Sequence, residues 1–429
     1  MVAELARMRD RMVSELATSG QPVSAAVTGA LRVVPRHLFL PGIAPELAYR
    51  DDAIVTRRGP DGQPTSSSSQ PMIMAIMLDQ LQLAPGQRVL EIGAGTGYNA
   101  ALMKHLVGAD GTVVTVDLDP EVAAEAAAHL AVAGYPEVTV VAADGADGYP
   151  DGAPYDRIIA TVGVSDLAPA WLAQLAPGGR IVVPLDLRGS QRSVAFERDP
   201  AGGWRSRSVV PCGFMRMRGT LAGPERTRVT GDYPELALML PDGRPLDVTV
   251  LGRALDEPAA ERFTRVLAGP AQLFDGLGLW LALNEPRMGV LSETGQPRAA
   301  ALARAPGRIR DQYVTAGIFE PGSFAVLARP AGDHDRDAHP AERTRRGRTA
   351  APPFQLSVLG YGPDGDILAA QLAALLEAWE AAGRPGTRNF RILAYPRTTE
   401  DASGPAAGPG ESVIERPHTT FVVAPLDPS

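Results

Sequence analysis

Two spacings of apolar residues alternate along the first half of the chain. Short continuous runs stand at Val89-Leu90-Glu91-Ile92, Thr112-Val113-Val114-Thr115-Val116, Val138–Ala142, Tyr155–Thr161 and Ile181-Val182-Val183. Runs of this length bounded by Gly, Pro or Asp predict strands buried on both faces, as in a parallel sheet. Between them the apolar positions recur every three or four residues, as in Met72, Ile73, Ile76, Met77 and Leu81, and in Ala100, Leu102, Met103 and Leu106, which predicts helices. Strand alternating with helix is the pattern of an open α/β sheet. Residues 1–20 and 23–34 add two amphipathic helices, closed by Gly20 and by Pro35.

The second half is less regular. Asp256–Glu261 opens an expected helix carrying Phe263, Val266 and Leu267 on one face. Leu273–Leu283 is apolar enough to be either a helix or a buried strand. Phe324–Leu327, Phe354–Leu359, Phe390–Ala394 and Thr420–Ala424 predict strands, and Ile367–Ala382 predicts an amphipathic helix ended by Gly383 and Pro385. Residues 330–353 are dense in charge and proline and predict a mobile loop; 398–410 is a second Gly/Pro/Ala-rich loop. The expectation is therefore a Rossmann-like α/β domain over 1–220 followed by an α+β domain over 221–429.

Composition narrows this picture. A chain of 429 residues exceeds one ordinary domain. A net charge of −8 argues against a general nucleic-acid partner, and no apolar run is long enough to span a bilayer. A single cysteine, Cys212, excludes an internal disulfide and fits a reducing, cytoplasmic setting. The six histidines show no metal-ligand spacing.

Candidate chemistry concentrates at the end of the first parallel strand. Gly93, Gly95 and Gly97 follow Ile92 and lead into a helix at Tyr98. A strand, a glycine turn and a helix N-terminus make an anion-accepting nest in an α/β sheet. The spacing is G-x-G-x-G rather than the G-x-G-x-x-G of dinucleotide binders. With Glu91 in the strand end and Asp117 about 20 residues after the last glycine, where an acidic residue accepts from ribose hydroxyls, it points to S-adenosyl-L-methionine. Glu91 either touches that ligand or ties down the backbone near the turn. Arg216 and Arg218 alternate on an expected strand and either grip an acidic peptide or line a solvated edge.

Four further segments appear in order with this turn: Val34-Pro35-Arg36 with Phe39, Ala48-Tyr49-Arg50-Asp51, Ser69-Gln70-Pro71, and the pair Gly97-Tyr98. Together they resemble the protein-L-isoaspartate O-methyltransferase family, over roughly residues 1–220. The resemblance implies a class I methyltransferase fold using S-adenosyl-L-methionine, a peptide or protein substrate carrying Asp or isoAsp, and cofactor contacts from Glu91, Gly93, Gly95, Gly97, Tyr98, Asp117, Asp144 and Gly145. It also implies an active-site serine at Ser69. Ser68, which stands where the family carries an apolar residue, is the second candidate. The long second half is similar to that of actinobacterial members found with ribosomal-peptide clusters. It directs the expectation toward tailoring of one peptide through an ester that closes to a succinimide. General isoaspartyl repair and a small-molecule methyltransferase are the alternatives.

Overall fold

The computed structural model describes all residues except 1, 19, 22, 61, 225, 230–234, 256–259, 296, 298–299, 310–311, 331–351, 398–407 and 427–429. Most of the expected loops at 330–353 and 398–410, and the expected helix start at 256–259, thus lie outside the described residues. The chain divides into two compact units. The first comprises Met1–Asp186, Gln191–Gly223 and Arg391–Ser429; the second comprises Leu187–Ser190 and Pro224–Phe390.

In the first unit α1 (Val2–Ala17) and α2 (Ala25–Val33) precede α3 (Pro45–Ala48) and a hairpin of β1 (Ile54–Arg58) and β2 (Pro64–Ser68). The polar run at 65–71 was expected as loop throughout, but Pro64–Ser68 pairs antiparallel with β1, because a neighbouring strand satisfies backbone groups whatever the side chains are. Then come α4 (Pro71–Leu81), β3 (Arg88–Ile92), α5 (Tyr98–Val107), β4 (Thr112–Asp117), α6 (Pro120–Val132), β5 (Thr139–Ala142), β6 (Tyr155–Ala160), α7 (Pro169–Gln174), β7 (Leu175–Leu187), β8 (Ser190–Arg198) and β9 (Trp204–Pro211). Strands β5, β4, β3, β6 and β7 lie side by side and parallel. The order reverses between β3 and β6, which is the switch point where open α/β sheets bind ligands. Helices α1, α2, α4 and α5 bury Leu16, Leu31, Met74, Leu78 and Leu102 in one core with Val89 and Ile159 of the sheet.

The second unit is a mainly antiparallel sheet of β10 (Arg226–Val229), β11 (Leu236–Leu240), β12 (Ala260–Ala268), β13 (Met288–Thr294), β14 (Gly307–Ile309), β15 (Gln312–Glu320), β16 (Ser323–Ala328) and β17 (Phe354–Tyr361). Both faces are covered. Val326, Leu359 and Tyr361 pack with Leu251 of helix Val248–Ala254, while Leu327, Leu356 and Val358 pack with Leu368, Leu372 and Trp379 of helix Gly365–Ala381. The helix expected around 256–267 is corrected here: from Ala260 onward the chain is β12. Phe263, Arg265 and Leu267 point outward and Thr264, Val266 and Ala268 inward, a period of two rather than 3.6. The apolar segment at 273–283 resolves as helical, ending in helix Gly278–Asn284.

The expected boundary at 220/221 also meets a difference. The strands β18 (Phe390–Pro396), β19 (Ser412–Glu415) and β20 (Thr419–Pro425) extend the first unit's sheet beyond β9, in the order β19-β20-β18-β9-β8-β7. The second unit is thus inserted in the chain of the first. No helix among the described residues is long and apolar enough to cross a membrane.

Candidate active site

Strand β3 ends in a turn that only glycine fits. Gly93, Gly95 and Gly97 have φ of +100°, +51° and +84°, a region costly for side chains. All three are also hemmed in: a Cβ on Gly97 would stand 3.1 Å from the Ala126 carbonyl oxygen, one on Gly93 would stand 2.7 Å from Thr161 Oγ1, and one on Gly95 would stand 3.2 Å from the Ser67 carbonyl oxygen. The last distance sets the end of β2 directly against the turn. Gly97 precedes α5, whose first-turn N–H groups lack helical partners.

Asp117 ends β4 beside this turn. Its Oδ2 accepts from the Gly95 N–H at 3.0 Å and its Oδ1 from the Asp119 N–H at 3.1 Å. Asp144 follows β5; Oδ1 accepts from the Ala146 N–H (2.9 Å), and Oδ2 accepts from the Thr220 N–H (2.8 Å) and hydroxyl (2.6 Å). Burial alone would raise its carboxyl, but these hydrogen bonds outweigh it and hold the group below the usual range. The Gly145 carbonyl accepts from the Trp171 indole at 2.7 Å. A Cβ on Gly145 would strike Ile92 at 2.6 Å, so this segment lies on the tip of β3.

Two expected ligand contacts turn inward. Glu91 is fully buried; its Oε1 accepts from Asn99 Nδ2 at 2.8 Å and its Oε2 from Thr115 Oγ1 at 2.7 Å. These bonds tie β3 to side chains of α5 and β4 rather than to the backbone of the turn. Burial lifts its carboxyl to about 7 against the opposing pull of those two donors. Tyr98 is 1% exposed and packs on Phe39 with ring centroids 5.4 Å apart. Its place at the first position of α5 offers a backbone N–H to the turn, while its ring belongs to the core.

The acceptor side is organised by Arg36, whose importance sequence reasoning missed. Its guanidinium is fully buried. Nη1 donates to the carbonyls of Ala48 (2.8 Å) and Arg50 (3.1 Å). Nη2 donates to the carbonyls of Asp52 (3.1 Å) and Ser69 (2.9 Å) and to Ser68 Oγ (3.4 Å). Desolvation lowers its pKa from the usual arginine value. Asp51 completes the cluster: Oδ1 accepts from the Met72 N–H and Oδ2 from Gln70 Nε2, both at 2.9 Å, so it caps the start of α4. Three motifs separate in sequence are thereby one hydrogen-bonded body. Ser68 is 2% exposed and faces Arg36; Ser69 is half-buried, and its hydroxyl makes no hydrogen bond to a described residue. Among the described residues no cluster of His, Cys, Asp and Glu is placed to hold a metal ion.

The arrangement offers an anion nest, a carboxylate beside it, and a serine loop set against the nest. A family profile described as Protein-L-isoaspartate(D-aspartate) O-methyltransferase matches residues 7–221, half of the chain. A protein named Protein-L-isoaspartate O-methyltransferase from Methanopyrus kandleri is 40% identical over 214 residues, covering 50% of this chain and 92% of that protein. One of the same name, numbered 1, from Nitrosospira multiformis is 36% identical over 220 residues, covering 51% and 89%. A solved structure titled protein-L-isoaspartate O-methyltransferase aligns over 90% of this chain and 95% of its own at 24% identity, with a TM-score of 0.47.

Proposed function

The chain belongs to the protein-L-isoaspartate O-methyltransferase family, and from that premise we infer that it methylates the free carboxylate of isoaspartyl residues in peptides and proteins, with S-adenosyl-L-methionine as donor. The observation that carries this reading is the approach of the Ser67 carbonyl to Gly95, near enough to crowd any Cβ there, which sets the serine loop against the nest. The donor, when bound, supplies a methyl on a positively charged sulfur, an electrophile needing no activation. The N–H groups of the glycine turn and of Tyr98 suit its carboxylate. Asp117 keeps lone pairs for ribose hydroxyls beyond those facing Gly95 and Asp119. Asp144 and Gly145, on the tip of β3, suit the adenine end.

The acceptor carboxylate is already ionised at pH 7, so no general base is required. The chain's task is alignment. Ser69 donates to one acceptor oxygen and orients the other, while Arg36 and Asp51 fix the loop that carries it. Ser68 is committed to Arg36 and serves the loop rather than the acceptor.

The names of the relatives favour general action on isoaspartyl proteins over tailoring of one ribosomal peptide. One observation favours a dedicated partner as a second reading: residues 224–390 lie outside the matched stretch and form a unit of their own. Methyl-labelled donor offered with matched peptides bearing isoAsp or Asp separates the two. Label on the isoAsp peptide, released by base, is the expected result. Label on the Asp peptide alone would reverse the assignment, and label on neither would end it. Ser69→Ala should cut kcat by roughly 10–100-fold, in the range of one lost hydrogen bond to a charged group, with cofactor affinity within about twofold of the parent; undiminished kcat removes Ser69 from the chemistry.

A further inference from the structure

After β9 the chain of the first unit forms a strap, residues 212–220. Gln191 holds it at Phe214, whose N–H donates to Oε1 (2.6 Å) and whose carbonyl accepts from Nε2 (3.0 Å). The Gly163 N–H then donates to the Met215 carbonyl (2.7 Å), and the Met217 N–H donates to the Gly163 carbonyl (2.8 Å). The strap therefore runs parallel to the chain leaving β6, two residues beyond the Thr161 that touches Gly93. Its far end reaches Asp144 through Thr220. Phe214 packs into the core that contains α4. Side chains two apart in extended chain share a face, so Arg216 lies on the α4 side, where Ser69 leads into the first turn of that helix.

Arg216 is ion-paired with Asp186 near the end of β7, and Arg416, from the turn between β19 and β20, stands 3.9 Å from the same carboxylate. The turn is pinned there: the His418 N–H donates to Asp166 Oδ2 at 2.7 Å. Arg218 is exposed on the strap. Two guanidinium groups share one carboxylate, and a third, Arg218, is exposed two residues along the strap that lies beside the chain leaving β6, which makes a positive spot on a chain of net charge −8.

We propose that the strap and the returning hairpin form a rim that selects acceptor peptides bearing an acidic side chain next to the methylated residue. Arg216 and Arg218 receive that side chain, and Arg416 shares Asp186 with Arg216, which leaves positive charge facing the peptide. This rests on the isoaspartyl reading above and adds a sequence preference to it. Two isoaspartyl peptides that differ only in Glu or Gln beside the acceptor test it, with KM measured for the parent, Arg218→Gln and Arg416→Gln at low and high salt. The parent should favour the Glu peptide by roughly fivefold at low salt, with the preference falling toward one in about 0.5 M salt as the charges are screened. Each variant should bring the ratio of the two KM values toward one. A ratio within one enzyme form cancels losses common to both peptides, and exposed Arg218 can be replaced without disturbing the core. Equal KM values for the parent, or a ratio preserved in both variants, overturn the rim while leaving isoaspartyl methylation intact. Methylation of neither peptide instead removes the reading beneath it.

Discussion

The two sheets of this chain handle their strand ends differently. Around β3 the first sheet is parallel, so the C-terminal ends of neighbouring strands gather at one edge. That edge holds Gly93, Asp117 and Thr161, and Gly145 lies on it. In the second sheet the strand pairs among the described residues are all antiparallel, and successive ends fall on opposite edges. Buried polar groups follow the same division. In the first unit Glu91, Asn99, Thr115, Arg36 and Ser68 knit turn, helix and loop together. In the second, Thr315 donates to the Leu327 carbonyl (2.6 Å) and Thr264 to the Leu356 carbonyl (2.7 Å), each on a neighbouring strand. The aromatic stack of Phe319, Phe324 and Tyr361, with centroids 5.5 and 4.9 Å apart, fills its core. The same residue types build a site where strand directions converge and a packed interior where they alternate.

Paired glycine substitutions break or sharpen this contrast most directly. At Gly95, valine would meet both a φ of +51° and the Ser67 carbonyl. Gly95→Val should weaken cofactor binding by more than about 100-fold, since strain of 1–3 kcal/mol adds to the blocked approach of the ligand. At Gly317 a Cβ would stand 2.0 Å from the Ala325 carbonyl, inside the antiparallel ladder. Gly317→Ala should lower the melting temperature by several degrees, as overpacking by about 1–3 kcal/mol does, with cofactor affinity changed less than about twofold. Calorimetric titration and thermal melts of both variants decide it. Equal losses of affinity would mean that the two sheets are not functionally distinct.

The next effect in size concerns where the first unit ends. A chain truncated after Gly223 lacks β18–β20, exposes the edge of β9, and loses the bonds from His418 to Asp166 and from Arg416 to Asp186. It should melt at least about 10 °C below a chain in which 224–390 is replaced by a short Gly/Ser linker, on the order of 3 kcal/mol at a few degrees for each. Comparable melting of the two would restore the boundary at 220.

That boundary shows what is legible in a sequence. Strand β3, its glycine turn and α5 form one local run, and their periodicity and glycines declare them. The strands at 390–425 are visible as apolar runs too, but their partner is β9, some 190 residues earlier, and pairing over that distance leaves no local trace. Strand β12 was hidden because its outward face carries Phe263 and Leu267, which mimic a helical stripe. Roles divide the same way. Asp117 is found by its spacing from the turn. Arg36 sits in a recognisable motif, yet its acceptors lie at 48, 50, 52 and 69, and nothing in a linear pattern joins them. Thr220, which holds Asp144, carries no sequence signal.

The smallest expected effects come from two buried glutamates whose pH slopes oppose. Burial raises Glu91 from its ordinary 4.5 to about 7. Between those values the folded state keeps a proton that the unfolded chain has released, so this contribution to stability is full below pH 4.5 and is lost as pH rises through 7. Glu285 in the second unit behaves in reverse: burial would raise it, but Arg287 donates to both its oxygens at 2.7 Å and holds it below 4.5. Its contribution is present above pH 4.5 and is lost as pH falls through the depressed value. Gln is the neutral analogue of a protonated Glu and keeps a donor for Thr115 and an acceptor for Asn99 at position 91. Melts from pH 4 to 8 should therefore show Glu91→Gln close to the parent in acid and relatively more stable toward pH 8, by on the order of 2–3 kcal/mol. Glu285→Gln should fall below the parent toward neutral pH and converge with it in acid. Parallel pH profiles for Glu91→Gln and its parent would mean that the carboxyl tying β3 to α5 is ionised throughout, and that the turn is held by a charge rather than by a neutral hydrogen-bonded acid.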